Sequence, residues 1–144
     1  MFKFLNKNKE KNTDDEIFIK TAALLIHAAK IDQSYQLEEK NIIKKTIISL
    51  GVSEENSDNL ISKAEKYESN ENQILEFTKE IKKTSQDFKI KIIECLWNII
   101  YSDGNADMYE NSLMRRLSGL LYLDPKIVGD IKKRMINNLK KWLI

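Results

Sequence analysis

The feature that most constrains this chain is an acidic segment that occurs twice, 71 positions apart. The first copy reads Ala29-Lys30-Ile31-Asp32-Gln33-Ser34-Tyr35-Gln36-Leu37-Glu38-Glu39, and the second reads Ile100-Tyr101-Ser102-Asp103-Gly104-Asn105-Ala106-Asp107-Met108-Tyr109-Glu110. Asp32 aligns with Asp103, and Glu39 with Glu110. Each copy follows an apolar run of helical period and precedes another, so the chain is expected to make a helix, an acidic turn and a second helix twice over. The pattern points to a binding site rather than to a reaction.

The repeat reaches back from the turns into the helices before them. The first apolar run carries Ile17, Phe18, Thr21, Ala22, Leu24, Leu25, Ala28 and Ala29 around a narrow polar stripe of Lys20, His27 and Lys30. Its counterpart carries Ile92, Ile93, Leu96, Trp97, Ile99 and Ile100 around Lys91, Glu94 and Asn98. At a spacing of 71, Lys20 falls on Lys91, Ala23 on Glu94 and His27 on Asn98. A helix apolar on nearly every side belongs inside a bundle, so both are expected to be central.

One proline and four glycines in 144 residues leave few breaks for a strand-and-turn architecture, and the 42% hydrophobic content suits one domain with one core. Local signals divide the rest of the chain. Thr13-Asp14-Asp15-Glu16 has the form of a capping box and predicts a first helix over about residues 14–31, behind a basic tail at 1–13. A second helix is expected near 36–50, closed by Gly51. A third follows from Ser53 to about Tyr67, Glu68 to Asn72 reads as a loop, and a fourth spans 74–84. Ser85 caps a fifth over 86–102, a sixth begins at Asp107, and Asp124-Pro125 opens a seventh. The expectation is an all-α bundle of six or seven helices with an internal pseudo-two-fold duplication, occupying residues 14–144.

In the second copy Asp103, Asn105, Asp107 and Glu110 offer oxygens at relative positions 1, 3, 5 and 8, which resembles the opening of a calcium loop. The EF-hand pattern is absent, because glycine falls at position 2 and glutamate at position 8. Capping explains part of the segment: Asp107 is a good N-cap, and Glu110 three residues later completes a capping box. It leaves Asp32, Glu39 and Asp103 without a role. Carboxylates gathered in this way repel one another unless a cation or basic group compensates them. A divalent cation, a basic side chain and pure capping therefore all stay open, with Arg115 and Arg116 as internal candidates for the basic group. Gln33 stands where the second copy has Gly104, and Gln36 where it has Asp107, so the first corner is the poorer ligand set.

The segments Leu24-Leu25-Ile26-His27-Ala28-Ala29-Lys30-Ile31-Asp32 and Leu96 to Glu110, with Leu113-Met114-Arg115-Arg116-Leu117 after it, resemble the two acidic segments of TerB-like proteins. That family includes tellurite-resistance TerB domains and the N-terminal domain of DjlA-type membrane co-chaperones. The resemblance covers about residues 14–135. It implies an all-α fold with two-fold duplication and a metal site of Asp32 and Glu39 from one segment and Asp103, Asp107 and Glu110 from the other, for calcium, magnesium or manganese. A stress-response role is implied with it. No J domain or membrane anchor is read in these residues, so co-chaperone activity is not expected.

No phosphate-binding glycine loop, zinc ligand set or nucleophile elbow occurs, and no catalytic residue is assigned. His27, the single histidine, is expected to be a solvated helix residue, Trp97 a packing residue and Cys95 a buried structural thiol. The leading expectation is a non-enzymatic binding module, with a metal-dependent hydrolase as the enzymatic alternative. Charge adds a third possibility. Residues 1–13 carry net +3 and residues 111–144 net +6, against −7 between them. The basic ends at 1–13 and 125–144 would suit a peripheral membrane contact, while the acidic body disfavours nucleic acid. A protein partner and a cytoplasmic location complete the expectation.

Overall fold

The computed structural model describes residues 2–31, 35–70, 74–102 and 108–142. Among these residues every regular element is helical. The order is α1 (Phe2–Ile31), α2 (Leu37–Leu50), α3 (Glu54–Asn70), α4 (Ile74–Thr78), a 3₁₀ turn (Ile81–Lys83), α5 (Gln86–Ser102), α6 (Met108–Leu120) and α7 (Pro125–Trp142). None of the helices, over its described residues, is long and apolar enough to cross a membrane.

The expected central position of α1 is realised. Ala22 to Ile26 are fully buried, and Ala28 and Ala29 nearly so, which requires neighbours on every side. These neighbours are α2, α3, α4, α5 and the 3₁₀ turn. The second central helix, α5, packs on α1, α2 and α7 and contributes Ile92, Ile93, Cys95, Leu96, Trp97 and Ile99 to the same core. Burial raises the Cys95 thiol pKa to about 12, and the nearby Thr46 hydroxyl only partly opposes this. The thiol is an inert packing group.

The duplication is written into the backbone. α2 and α6 start 71 residues apart, α3 and α7 start 71 apart, and α1 and α5 end 71 apart. The turns agree bond for bond. At the end of α2 the Gly51 N–H donates to the Ile48 carbonyl (3.0 Å) and the Val52 N–H to that of Ile47 (3.2 Å). At the end of α6 the Tyr122 N–H donates to the Gly119 carbonyl (3.2 Å) and the Leu123 N–H to that of Ser118 (2.8 Å). Both are Schellman motifs, and each places an apolar residue, Val52 or Leu123, against the core. The next helix is then capped at matching positions: Ser53 Oγ accepts from the Asn56 N–H, and Asp124 Oδ1 from the Lys126 N–H.

Three boundaries differ from expectation. No helix starts at Thr13, because α1 is continuous from Phe2; Lys- and Asn-rich residues 2–13 contain no glycine or proline to interrupt it. The expected loop from Glu68 begins too early, since α3 runs on to Asn70 and Glu68 is buried. The fourth helix does not reach 84 in one piece. It stops at Thr78 and resumes as a 3₁₀ turn, where Thr84 Oγ1 donates to the Ile81 carbonyl at 2.6 Å. The tightened turn keeps both Phe77 and Ile81 fully buried.

Candidate binding site at the acidic corners

Each acidic segment joins a central helix to the next, α1 to α2 and α5 to α6. Asp32, Asp103 and Asp107 lie outside the described residues. Glu110 belongs to the first turn of α6, but its side chain is also outside them. Glu39 is the one candidate whose side chain is described, and it is buried on α2.

The local geometry gives Glu39 a structural role. Gln36 has extended backbone (φ −115°, ψ −172°) and is the N-cap of α2. Its N–H donates to Glu39 Oε2 at 3.1 Å, the carboxylate half of a capping box. Glutamine in place of the usual Ser, Thr or Asp does not prevent that half from forming. One Glu39 oxygen, Oε2, is thereby committed to the helix start. Hard oxygen donors of this kind fit calcium, magnesium or manganese in chemistry. Among the described residues, no three His, Cys, Asp or Glu side chains gather as a metal-binding group.

Around the first corner lies a polar network that the sequence reading missed. Glu68, at the end of α3, accepts from Lys30 Nζ at 2.6 Å through one oxygen and contacts His27 Nδ1 at 3.2 Å through the other. Its side chain is only 8% exposed. His27 is therefore not a solvated residue, as the polar stripe implied. Its ring joins α1 to α3 through Glu68 and lies 5.5 Å from the Phe77 ring of α4. One turn earlier on α3, Glu65 pairs with Lys40 of α2 at 3.2 Å. Tyr35, within the corner, lies under Lys30 at 6.0 Å. Burial, then the adjacent Glu65 and Glu68 carboxylates, push its phenol well above the ordinary tyrosine range. Its covered hydroxyl makes no hydrogen bond of good geometry.

The compensating bases at the first corner are thus Lys30, Lys40 and His27, balanced against α3 carboxylates. Arg115 and Arg116 are exposed on α6, and neither forms an ion pair with a described residue. Long-range pairs such as His27 with Glu68, 41 residues apart, leave no local trace in sequence. The one available signal was Glu65 and Glu68, three apart on α3 and alongside the buried Ile61 and Ala64.

These features define an all-helical domain built from a duplicated three-helix unit, with an acidic junction in each copy. The family described as tellurite resistance protein TerB matches residues 18–133, most of the chain, and the protein belongs to that family. No curated protein and no solved structure matches it.

Proposed function

We propose that this chain is a small non-enzymatic binding module that takes a divalent cation (calcium, magnesium or manganese) or a basic partner at its acidic corners. The observation that carries the reading is the 71-residue register of the helix starts and turns, which makes the two acidic segments the same junction of a duplicated unit. Residues kept only as caps would not need an Asp at position 1 of both copies, four residues before the N-cap. The one thiol also favours binding over turnover: Cys95 is buried with its pKa pushed up to about 12.

The basic ends support a membrane role less well. Val128 and Ile131 of α7 are buried, and Ile127 and Met135 pack on the core, so this part of its apolar face is already covered. The basic face of α7 also has partners within the fold: Arg134 pairs with Glu94 at 3.1 Å, and Lys132 lies 5.1 Å from the Trp97 ring.

The test is a titration with calcium, magnesium and manganese followed through the amide spectrum of wild type and Asp103→Ala. Saturable shifts or broadening at residues flanking both corners, lost around Ser102 to Glu110 in the variant, are expected. A spectrum that no cation changes would sink the metal reading.

A further inference from the structure

Two large apolar side chains stand out among the described residues for their exposure: Leu37 at 73% and Tyr122 at 71%. Their electrostatic settings are opposite. Leu37 is the first residue of α2 and is followed by the exposed Glu38. Tyr122 borders a groove of about 290 Å³ between α4 with its 3₁₀ turn and the end of α6, lined also by Lys79, Lys82, Leu120 and Glu76. Lys82 Nζ sits 5.5 Å from the centre of the Tyr122 ring.

Tyr122 is unusual in its backbone as well. Its φ of 58° is the one positive value at a non-glycine among the described residues, at the position where the first half has Gly51. A side chain in the left-handed region is held against steric strain between its Cβ and the backbone. The exposed ring does not offset that strain by packing within its own fold. A strained aromatic facing solvent beneath a lysine has the character of a recognition feature.

We infer that the Tyr122 groove receives the Leu37–Glu38 end of α2 from a second copy of this chain. Leu37 supplies the apolar side chain for the space between Leu120 and the Tyr122 ring. Glu38 meets Lys79 and Lys82, which outnumber the single Glu76 on the groove wall. The joined surfaces are unlike, so each copy retains one free end and one free groove, and association continues past a dimer unless a ring closes. The contact is small and therefore weak, and it loosens as salt screens the charges. It rests on the first corner being a binding surface, but not on a cation being bound there.

Sedimentation velocity on the full chain at low salt, from about 10 μM to about 1 mM, tests the contact. The average mass is expected to rise with concentration. Glu38→Lys and Lys82→Glu should each hold the chain monomeric, and mixing the two variants should restore association, because one partner's intact acidic end then finds the other's intact basic groove. Tyr122→Gly should lose association while melting at or above the wild-type temperature, which separates recognition from folding. A wild type that stays monomeric throughout overturns the inference, as does association that survives both charge reversals. Amide shifts with calcium, magnesium and manganese on the same samples keep the readings apart. Cation shifts without association would overturn the self-contact alone, and association without cation shifts would overturn the metal reading alone.

Discussion

The two halves of this molecule share a backbone plan and differ in how polar groups secure it. In the first half, α1 is tied to α3 through Glu68, a buried carboxylate held by Lys30 and His27. In the second, the equivalent pair, α5 and α7, is tied by Glu94 and Arg134, with side chains 42% and 60% exposed. The central helix supplies the bases in one half and the acid in the other. Helix ends and turns fix the register of a duplicated unit, while polar ties between helices diverge freely once apolar packing is satisfied.

The largest effect is expected at alkaline pH, where comparison with a Cys95 variant isolates the second half's share. Cys95 of α5 occupies the position of Leu24 in α1, so the second half has a buried titratable group where the first has none. The folded thiol pKa is about 12 against an ordinary 9.0, so the native state keeps its proton when the unfolded chain has lost it. The associated stability is complete below about pH 9 and should fall by several kcal/mol towards pH 12. Urea midpoints measured against pH should show this fall, and Cys95→Ala should remove about one proton's worth of the slope. A residual slope in the same direction belongs to Tyr35 and Lys20, whose pKa values are also raised. For Lys20 burial acts downwards, and the upward balance comes from its pairing with Glu80.

The polar ties come next in size. Glu68→Ala leaves Lys30 and His27 without their shared acceptor and should cost about 2–3 kcal/mol in a urea melt. Glu94→Ala should cost below about 0.5 kcal/mol, as exposed pairs do. Equal effects would break the contrast between the halves. Between these two fall the turns. Gly51 has φ 128°, which a side chain adopts only with strain, so Gly51→Ala should lose about 1–2 kcal/mol. Tyr122→Gly at the matching position should gain about 0.5 kcal/mol, the relief of the left-handed tyrosine less the entropy of a new glycine. Thermal midpoints moving in opposite directions at these two positions would confirm that the turns share one hydrogen-bond pattern and a positive φ with unlike residues.

Much of the fold was legible because its punctuation is local. Ser53, Ser85 and Asp124 cap helices where their side chains predict, and Gly51 ends α2 as expected. The repeat was visible first in the corners, and the matching turns extend it. Tyr122 shows where local reading stops, since tyrosine gives no sign of a left-handed turn and only comparison with Gly51 across the register would have found it. The pairing of His27 with Glu68 was illegible for another reason: it depends on α1 and α3 meeting, and neither helix encodes its partner's polar residues. At the corners, the sequence offers no role for Glu39, yet Gln36 is sufficient to cap α2 with it. Asp32, Asp103 and Asp107 lie outside the described residues, and what links them is the 71-residue repeat of the sequence.

The small residues of α1 carry a consequence for how this protein changes over time. Ala22, Ala23, Ala28 and Ala29 are all within 3% of complete burial, so they set how closely the surrounding helices approach the middle of the molecule. Adding a methylene there displaces neighbours on several sides at once, and only paired substitutions in those neighbours can absorb it. The outer face of α7 is under no such restriction. Divergence among such proteins should therefore be rapid at the rim and slow along this helix, making the alanine-rich stretch a better marker of descent than the charged surface.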